Sequence, residues 1–337
     1  MARFYYFEPE PSASSSFTNQ PPYRVLVLAL VVGNNSALMN RLEAESTDFS
    51  PPAQGRSGTE TVALPAVPLL VIDGGRAWAA IDWRDLWGHR DLFYFLAWRD
   101  VKVRYKQTVL GVLWVVLQPL LTMVVFTLLF GRLAHLPSDG LPYAIFSYSG
   151  LLAWNFFNAA VGTSANSLLV SSNLLSKVYF PRLLLPAASV AATLVDFTIA
   201  ALLLLGLLPW YGVALSPNLL WLPALGLIDA LAALSIGLGL SALMVKYRDV
   251  RYALPFVLQL WMFLTPVIYP ASFVPPNFRW LLLLNPLTGI IQAFRAVIAD
   301  RPMPWLPLAL AVAIVAGLLV ISATIFQRME REFADLI

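Results

Sequence analysis

The stretch AWRDVKVRYKQTVLGVLW, residues 97–114, changes character halfway along. Its first part carries four basic side chains, Arg99, Lys102, Arg104 and Lys106, whereas no residue is charged from 107 to 131. An uncharged apolar run of this length, folded as a helix, can cross a hydrocarbon core about 30 Å thick. The junction therefore predicts a basic segment at a membrane surface that leads into a transmembrane helix.

The composition of the whole chain supports a membrane protein. The 337 residues are 59% hydrophobic and 12% charged, with a mean hydropathy of +0.71. A soluble domain has about a quarter of its residues charged, so this chain has too few polar residues to cover a soluble globule. The absence of cysteine and the presence of only 2 histidines argue against a metal site and against a thiolate nucleophile. We predict neither a metal site nor a catalytic residue.

Six apolar intervals are long enough to be spans, two of them interrupted by a single aspartate, Asp196 or Asp229. The intervals are 107–131, 143–169, 183–208, 219–245, 252–269 and 304–326. Between the last two lies RWLLLLNPLTGIIQAFRAVI, residues 279–298, which Asn285-Pro286 divides into two short apolar halves. This pattern predicts a re-entrant hairpin, which a membrane tolerates only where protein or a water-filled cavity surrounds it. The fold class we expect is an all-α integral membrane protein with six transmembrane helices and this hairpin between helices five and six.

The distribution of basic residues orients the spans, because cytoplasmic loops carry an excess of Lys and Arg. The side that precedes the first span holds Arg99, Lys102, Arg104, Lys106, Lys177, Arg182, Lys246, Arg248, Arg251, Arg328 and Arg331. The opposite side holds only Arg132, Arg279, Arg295 and Arg301. We therefore expect a multi-pass protein with both termini in the cytoplasm.

Residues 1–65 differ from the rest of the chain. They are rich in Pro, Ser, Asn and Gln, they begin with no secretory signal, and their apolar run at 25–33 is too short for a span. We expect residues 1–65 to be a disordered extension or, equally, upstream sequence translated from a mis-assigned start. A cytoplasmic and interfacial segment follows over 66–106, and the six-span transmembrane domain over 107–337.

The basic segment itself permits two interpretations. Residues 101–106 alternate apolar and basic, which alone would indicate a strand. Over a longer window, Tyr94, Trp98, Val101 and Tyr105 fall on one stripe of a helix with the basic residues beside it. We favour an amphipathic helix in the headgroup layer, with its cationic ends near lipid phosphates. The charges would serve either as a topology signal alone or as a gate for an anionic, lipid-linked substrate.

Five stretches resemble the membrane subunit of bacterial ABC-type polysaccharide exporters, which handle O-antigen, capsule and teichoic acid. They are the run WRDVKVRYKQTVLGVLWVVLQPLLTMVVFTLLFGRLA, then LLSKVYFPRLLLP, LVDF, LSALMVKYRDVRYALPFVLQLWMFLTPVIYP and LNPLTGIIQAFR, in register over roughly residues 66–337. The resemblance implies an inner-membrane homodimer that moves lipid-linked polysaccharide from the cytoplasmic to the outer face. It also implies a separate nucleotide-binding ATPase partner. The chain has no G-x-x-x-x-G-K-[ST] loop, so ATP and Mg²⁺ would bind that partner and this chain would be a transport subunit, not an enzyme.

Two other functions compete with polysaccharide export. A drug or small-lipid exporter of the same superfamily would have a smoother, less aromatic cavity. A membrane glycosyltransferase would show a clustered acidic pair such as D-x-D, and the sequence has none.

The resemblance implies roles for two groups of residues, and the position of aromatic residues within the spans indicates a third. Arg99, Lys102, Arg104 and Lys106 would form the gate for the lipid headgroup. A cytoplasmic loop at 171–182 and a second segment at 246–251 would contact the ATPase through Lys177, Tyr179, Phe180, Arg182, Lys246 and Arg248. Aromatic side chains would line the conduit and offer weak contacts to sugar rings: Trp114, Trp154, Phe156, Phe157, Trp261, Phe263 and Tyr269. The ordinary alternatives are topology signals, a plain loop and interfacial aromatic belts.

Four charged residues are left over. Asp196 and Asp229 would be carboxyls buried against another helix or, alternatively, members of a proton or ion relay. Arg279 and Arg295 would anchor the re-entrant hairpin or bind substrate phosphate, and we favour anchoring.

Overall fold

A computed structural model describes residues 87–106, 111–175, 177 and 180–330, with only the backbone of Gly111 and Val112. The predictions for the 1–65 extension and for Tyr179 lie outside the described residues, as does most of the predicted 66–106 segment.

Every regular element in the described part of the chain is helical. The α-helices are α1 Arg90–Lys106, α2 Gly111–Phe126, α3 Tyr143–Val170, α4 Leu184–Trp210, α5 Leu222–Lys246, α6 Val250–Leu264, α7 Arg279–Leu284, α8 Pro286–Ile298 and α9 Trp305–Glu330. A π-helical stretch, Thr127–Leu133, continues α2, and a single helical turn, Ser172–Leu175, follows α3. The all-α prediction is confirmed, and residues 101–106 are helix rather than strand.

Within the described residues, four helices are long and apolar enough to cross a membrane. They are Leu113–Leu133, Leu184–Trp210, Pro217–Lys246 and Trp305–Glu330. The pair Pro276–Leu284 and Pro286–Ile298 is bent by 101° and would make a fifth if it counts as one span. Two predicted spans are not among these candidates. Helix α6 is too short, with 15 residues. Helix α3 has 28 residues but is less apolar, because it carries many Ser, Asn and Tyr side chains.

Helix α3 lies at the centre of the bundle. It packs against α2, α4, α5 and α8, and most of its side chains are buried. Two of its buried hydroxyls are satisfied locally: Ser147 donates to the carbonyl of Ala144, and Ser149 to that of Phe146. The hydroxyls of Ser164 and Ser167 have no partner among the described residues. Buried polar groups without a partner are costly, so the two local bonds lower the cost of placing a helix with several hydroxyls in the core.

The bent pair α7–α8 is fixed to the end of α6. The Asn285 side chain accepts a hydrogen bond from the backbone amide of Leu287, and its amide donates to Thr265 at 2.8 Å. The Arg295 guanidinium donates to the carbonyls of Pro266 and Val267 at 2.7 and 2.6 Å. Arg279 donates to carbonyls of the loop that precedes it. Both arginines therefore have the anchoring contacts expected from the sequence.

A second cluster of apolar side chains joins α1 to the other helices. Leu96 is the buried residue of α1, at 1% exposure, and it packs with Phe180, Leu184, Phe326 and their neighbours. Helix α1 therefore lies against α4 along much of its length and is part of the folded unit.

The contact between α8 and α9 predicts unequal effects for two Gly→Ala changes. A Cβ at Gly289 would collide with the backbone carbonyl oxygen of Pro307, whereas one at Gly317, on α9, would meet nothing within 4 Å. Since backbone cannot move aside, Gly289→Ala should destabilise the protein by about 1–3 kcal/mol. Gly317→Ala should be neutral or should stabilise the helix by up to about 1 kcal/mol.

The measurement is the loss of the monodisperse size-exclusion peak of the detergent-solubilised protein after heating. Equal midpoints for the two variants would contradict the close packing of α8 on α9.

Candidate functional site

The basic helix α1 presents its predicted residues in two ways. Lys102 and Lys106 are exposed, and the Lys102 ammonium lies 5.5 Å from the centre of the Trp98 ring. Arg99 and Arg104 are half-buried and turn toward the bundle. The four cations therefore form two pairs, one free to meet an external anion and one engaged within the protein.

Arg104 and Tyr105 both contact Asp196, a residue of α4. The Arg104 guanidinium donates to one carboxylate oxygen of Asp196, and the Tyr105 hydroxyl donates to the other. Burial and the bond to Asp196 raise the pKa of Tyr105. Asp196 is thus a structural carboxylate that accepts hydrogen bonds, as one of the two sequence interpretations expects. Charge-assisted bonds of this kind are roughly twice as strong as neutral ones.

A second set of contacts joins the middle of α1 to the ends of α3 and α4. Arg99 donates to its neighbour Asp100 at 2.8 Å and lies 3.5 Å from the Ser171 hydroxyl. Ser189, on α4, donates to the other oxygen of Asp100 at 3.3 Å. These residues border a cleft of about 520 Å³ that also includes Arg104, Thr163 and Asn166. We call it the basic cleft.

A smaller cleft of about 210 Å³ lies between α2, α3 and α4. Its polar lining is Gln118, Asn155, Asn158, Thr193 and Asp196, so it contains amides with a single carboxylate. We call it the amide cleft. Asp196 lines this cleft and its ion-pair partner Arg104 lines the basic cleft, so the Arg104–Asp196 pair separates the two.

The predicted ATPase contacts are dispersed. Lys177, Lys246 and Arg248 are exposed. Arg182 donates to the backbone carbonyl of Glu330 at 2.9 Å, which ties the loop to the end of α9. Phe180 is only 4% exposed and packs inside the second apolar cluster. Phe180 therefore anchors the loop to the apolar cluster, and almost none of its side chain is accessible to a partner protein.

The predicted conduit aromatics divide in the same manner. Trp114 and Phe263 are each 54% exposed. Trp154, Phe156 and Phe157 are buried in the core, where Phe157 meets the Trp261 ring edge-on at 5.4 Å and Phe156 lies 5.1 Å from Phe197. Tyr269 is half-buried and donates to the carbonyl of Phe263 at 3.2 Å. Of the set, Trp114 and Phe263 are the two side chains that are more than half exposed.

Asp229 has a different environment from Asp196. It is fully buried on α5, and neither carboxylate oxygen has a hydrogen-bond partner within the part of the chain that the structure describes.

Sequence reasoning missed the amide cleft. The available signal is the spacing of Asn155 and Asn158 by three residues, which places two neutral amides on the same side of a mainly apolar helix. An amide that loses water without gaining a partner costs roughly 2–7 kcal/mol, so amides at the surface of a membrane bundle are informative.

Fold and site together define a multi-pass helical membrane protein with a basic surface helix bound to the bundle. Residues 91–299 match the family described as ABC-2 type transporter. The chain belongs to this family of transporter membrane proteins.

Relatives with descriptive names support the same placement. The chain is 33% identical over 255 residues to the O-antigen export system permease protein RfbA of Myxococcus xanthus, which covers 75% of this chain and 97% of that protein. It is 24% identical to a protein of the same name from Klebsiella pneumoniae, over 73% of this chain and 95% of the relative. It is 23% identical to the polysialic acid transport protein KpsM of Escherichia coli, over 59% and 78% of the two chains.

The contact of Arg104 with Asp196 predicts a strong effect of removing one partner. Asp196→Asn should destabilise the protein by about 1.5–3 kcal/mol, because the Arg104 guanidinium loses a charged acceptor in a partly buried place. The double variant Arg104→Met/Asp196→Asn should lose less than the sum of Arg104→Met and Asp196→Asn, since no unpaired charge remains.

Thermal midpoints of the solubilised protein measure both effects. The control is Arg90→Met: Arg90 pairs with Asp91 at 3.8 Å in an exposed position, and its loss should change stability little. Additive single effects at 104 and 196 would show that the two side chains do not interact.

Proposed function

We propose that this chain is the membrane permease of an ATP-driven exporter that moves lipid-linked polysaccharide from the cytoplasmic to the outer face of the inner membrane. The observation that carries the proposal is the similarity to O-antigen export permeases along nearly their whole length, 97% of one relative. The polysialic acid transporter among the relatives also handles a polysaccharide by its name. Nothing in the site favours a drug exporter or a glycosyltransferase.

The membrane arrangement we propose has six spans and both termini in the cytoplasm. Helix α3 supports the higher count because it is about 42 Å long at 1.5 Å per residue and packs beside two candidate spans, α4 and α5. Helix α6 would be the fifth span and α9 the sixth. The bent pair α7–α8 would then be the re-entrant hairpin, on the side opposite the basic residues.

Helix α1 is the proposed gate for the lipid headgroup, with its four cations in two roles. Lys102 and Lys106 are exposed and would attract the phosphates of the lipid carrier. Arg99 and Arg104 line the basic cleft and hold α1 against α3 and α4, so they would position the lysines and meet the phosphate only after it enters the cleft.

The driving force would come from a separate ATPase that binds ATP and Mg²⁺. Lys177, Lys246 and Arg248 are exposed and would contact this partner. Arg182 and the buried Phe180 would transmit its movement, because they connect the loop to α9 and to the second apolar cluster. Tyr179 stays a predicted contact.

The conduit would form between two copies of the permease. Trp114 and Phe263 are the aromatics with the most surface available to sugar rings. The buried members of the set, Trp154, Phe156 and Phe157, would support the conduit wall from behind. Trp261 and Tyr269 are half-buried, so each would expose only part of its ring to the conduit.

Deletion of the gene tests the function directly. We expect loss of surface polysaccharide and accumulation of lipid-linked polymer inside the cell, both measured by glycolipid extraction and gel analysis. Complementation with the wild-type gene is the control. Unchanged surface polysaccharide without internal polymer would overturn the export function.

Charge reversal of the two exposed lysines tests the gate. Lys102→Glu/Lys106→Glu should reduce export at least about tenfold, because each cation near an anionic surface contributes about 1 kcal/mol and its reversal also adds repulsion. The matched variant Lys102→Gln/Lys106→Gln should show a smaller loss. The protein level in the membrane and the amount of co-purified ATPase should stay constant. Normal export by the Lys102→Glu/Lys106→Glu variant would contradict the gate and would mean that the basic residues of α1 serve only as a topology signal.

A further inference from the structure

We infer that one face of α3 holds the sugar units of the exported chain by hydrogen bonds from neutral amides. This inference rests on the proposed function and names the surface that its substrate contacts. The surface consists of Asn155, Asn158 and Asn166 of α3 with Gln118 of α2, and we call it the amide track.

The amide track follows one side of the helix. At 100° per residue, Asn155, Gly162 and Asn166 lie within about 40° of one another, and Asn158 lies about 60° from Asn155. The three asparagines are exposed or half-buried, in contrast to the buried serines of α3. Most of α3 is covered by its neighbours, whereas this face is open, and the small residues Ala159 and Gly162 lie between its upper and lower asparagines.

Both clefts lie along this face. The basic cleft is lined by Gly162, Thr163 and Asn166, and the amide cleft by Asn155 and Asn158. The cleft volumes are about 520 and 210 Å³. A ligand that enters beside Arg99 and passes the Arg104–Asp196 pair would therefore reach the amides without leaving α3.

The amides have unused hydrogen-bonding capacity. The side-chain amides of Gln118, Asn155 and Asn158 make no hydrogen bond with another protein group in the part of the chain that the structure describes. Asn166 donates to the carbonyl of Gly162 at 2.8 Å and keeps its amide oxygen available. Lipid tails offer no partner to such groups, so this face does not suit hydrocarbon.

The chemistry of the amide track suits an uncharged chain rich in hydroxyls. A carboxamide both donates and accepts, and so does a sugar hydroxyl, so each sugar unit finds partners in several registers. The charged pairs lie at the basic cleft and at its boundary with the amide cleft, Arg99 with Asp100 and Arg104 with Asp196, where a phosphate would arrive. Neutral contacts beyond that boundary would hold a polymer without stopping it.

Cysteine accessibility tests the amide track, and the chain offers a clean background because it contains no cysteine. Asn155→Cys and Asn158→Cys should react with a membrane-impermeant maleimide added to inverted membrane vesicles that hold the intact permease–ATPase complex. The control is Val320→Cys on α9, which is 64% exposed. It lies 10 residues from the Glu330 end of its helix, whereas Asn158 lies 12 residues from the Val170 end of α3.

We expect the two track cysteines to react at least about tenfold faster than Val320→Cys, because maleimide requires a hydrated thiolate. Their reaction should also slow in vesicles from cells that make the polymer, compared with cells that lack its first glycosyltransferase. Gln118→Cys, on α2, gives an independent reading if the α3 variants fail to reach the membrane.

Three outcomes overturn the proposal. Rates equal to that of Val320→Cys would place the face against lipid. Disulfide-linked dimers of Asn158→Cys that form after mild oxidation in equal yield with and without the polymer would make the face a closed contact between two copies of the chain, with no room for a sugar chain. Fast reaction that is indifferent to the polymer would leave a hydrated face without a sugar ligand. Failure in a strain whose export depends on this gene overturns the amide track alone, whereas export that survives gene deletion overturns the function as well.

Discussion

The bond between Asp196 and the end of α1 determines much of the site. A carboxylate within an apolar helix costs about 2.5–3.5 kcal/mol on insertion scales unless a partner compensates for it. Arg104 and Tyr105 provide that compensation by donating to both oxygens, and in doing so they fix a surface helix to α4. The basic cleft and the amide cleft meet at this ion pair, so one interaction stabilises the fold and defines the surface next to both cavities.

The parts of the fold that local sequence controls were predictable. The predicted intervals 183–208, 219–245 and 304–326 correspond to Leu184–Trp210, Leu222–Lys246 and Trp305–Glu330. Their ends agree within four residues because charges and prolines limit an apolar helix directly. The break at Asn285 could also be predicted from the sequence, because an asparagine followed by a proline is a common start of a helix. The Asn285 side chain caps the helix that begins at Pro286. The number of spans was harder, because α3 owes its place in the core to neighbouring helices rather than to its own hydropathy.

The arrangement of side chains in the site was not predictable in the same way. The partner of Asp196 lies 92 residues earlier in the sequence, and no periodicity links the two positions. Phe180 was expected at an exposed contact because it lies in a short cytoplasmic loop, yet it is buried among residues from α4, α5 and α9. Trp154 and Phe157 show the same effect. The sequence shows that a helix carries large aromatic side chains, but only the packing decides whether those side chains meet another helix or a cavity.

A permease for a long polymer must recognise its substrate without binding it tightly, and the distribution of polar groups in this protein meets that condition. Cations concentrate at α1, where Lys102 and Lys106 remain exposed and can attract an anion over several ångströms. Arg99 and Arg104, which line the basic cleft, are already paired with Asp100 and Asp196, so their charges are balanced before any ligand arrives. Beyond these pairs the accessible polar side chains are neutral amides, whose bonds to hydroxyls replace bonds to water with little net gain. Electrostatic attraction to the lysines of α1 would therefore act at the start of transport. Along the rest of the route, weak and exchangeable hydrogen bonds would hold the polymer.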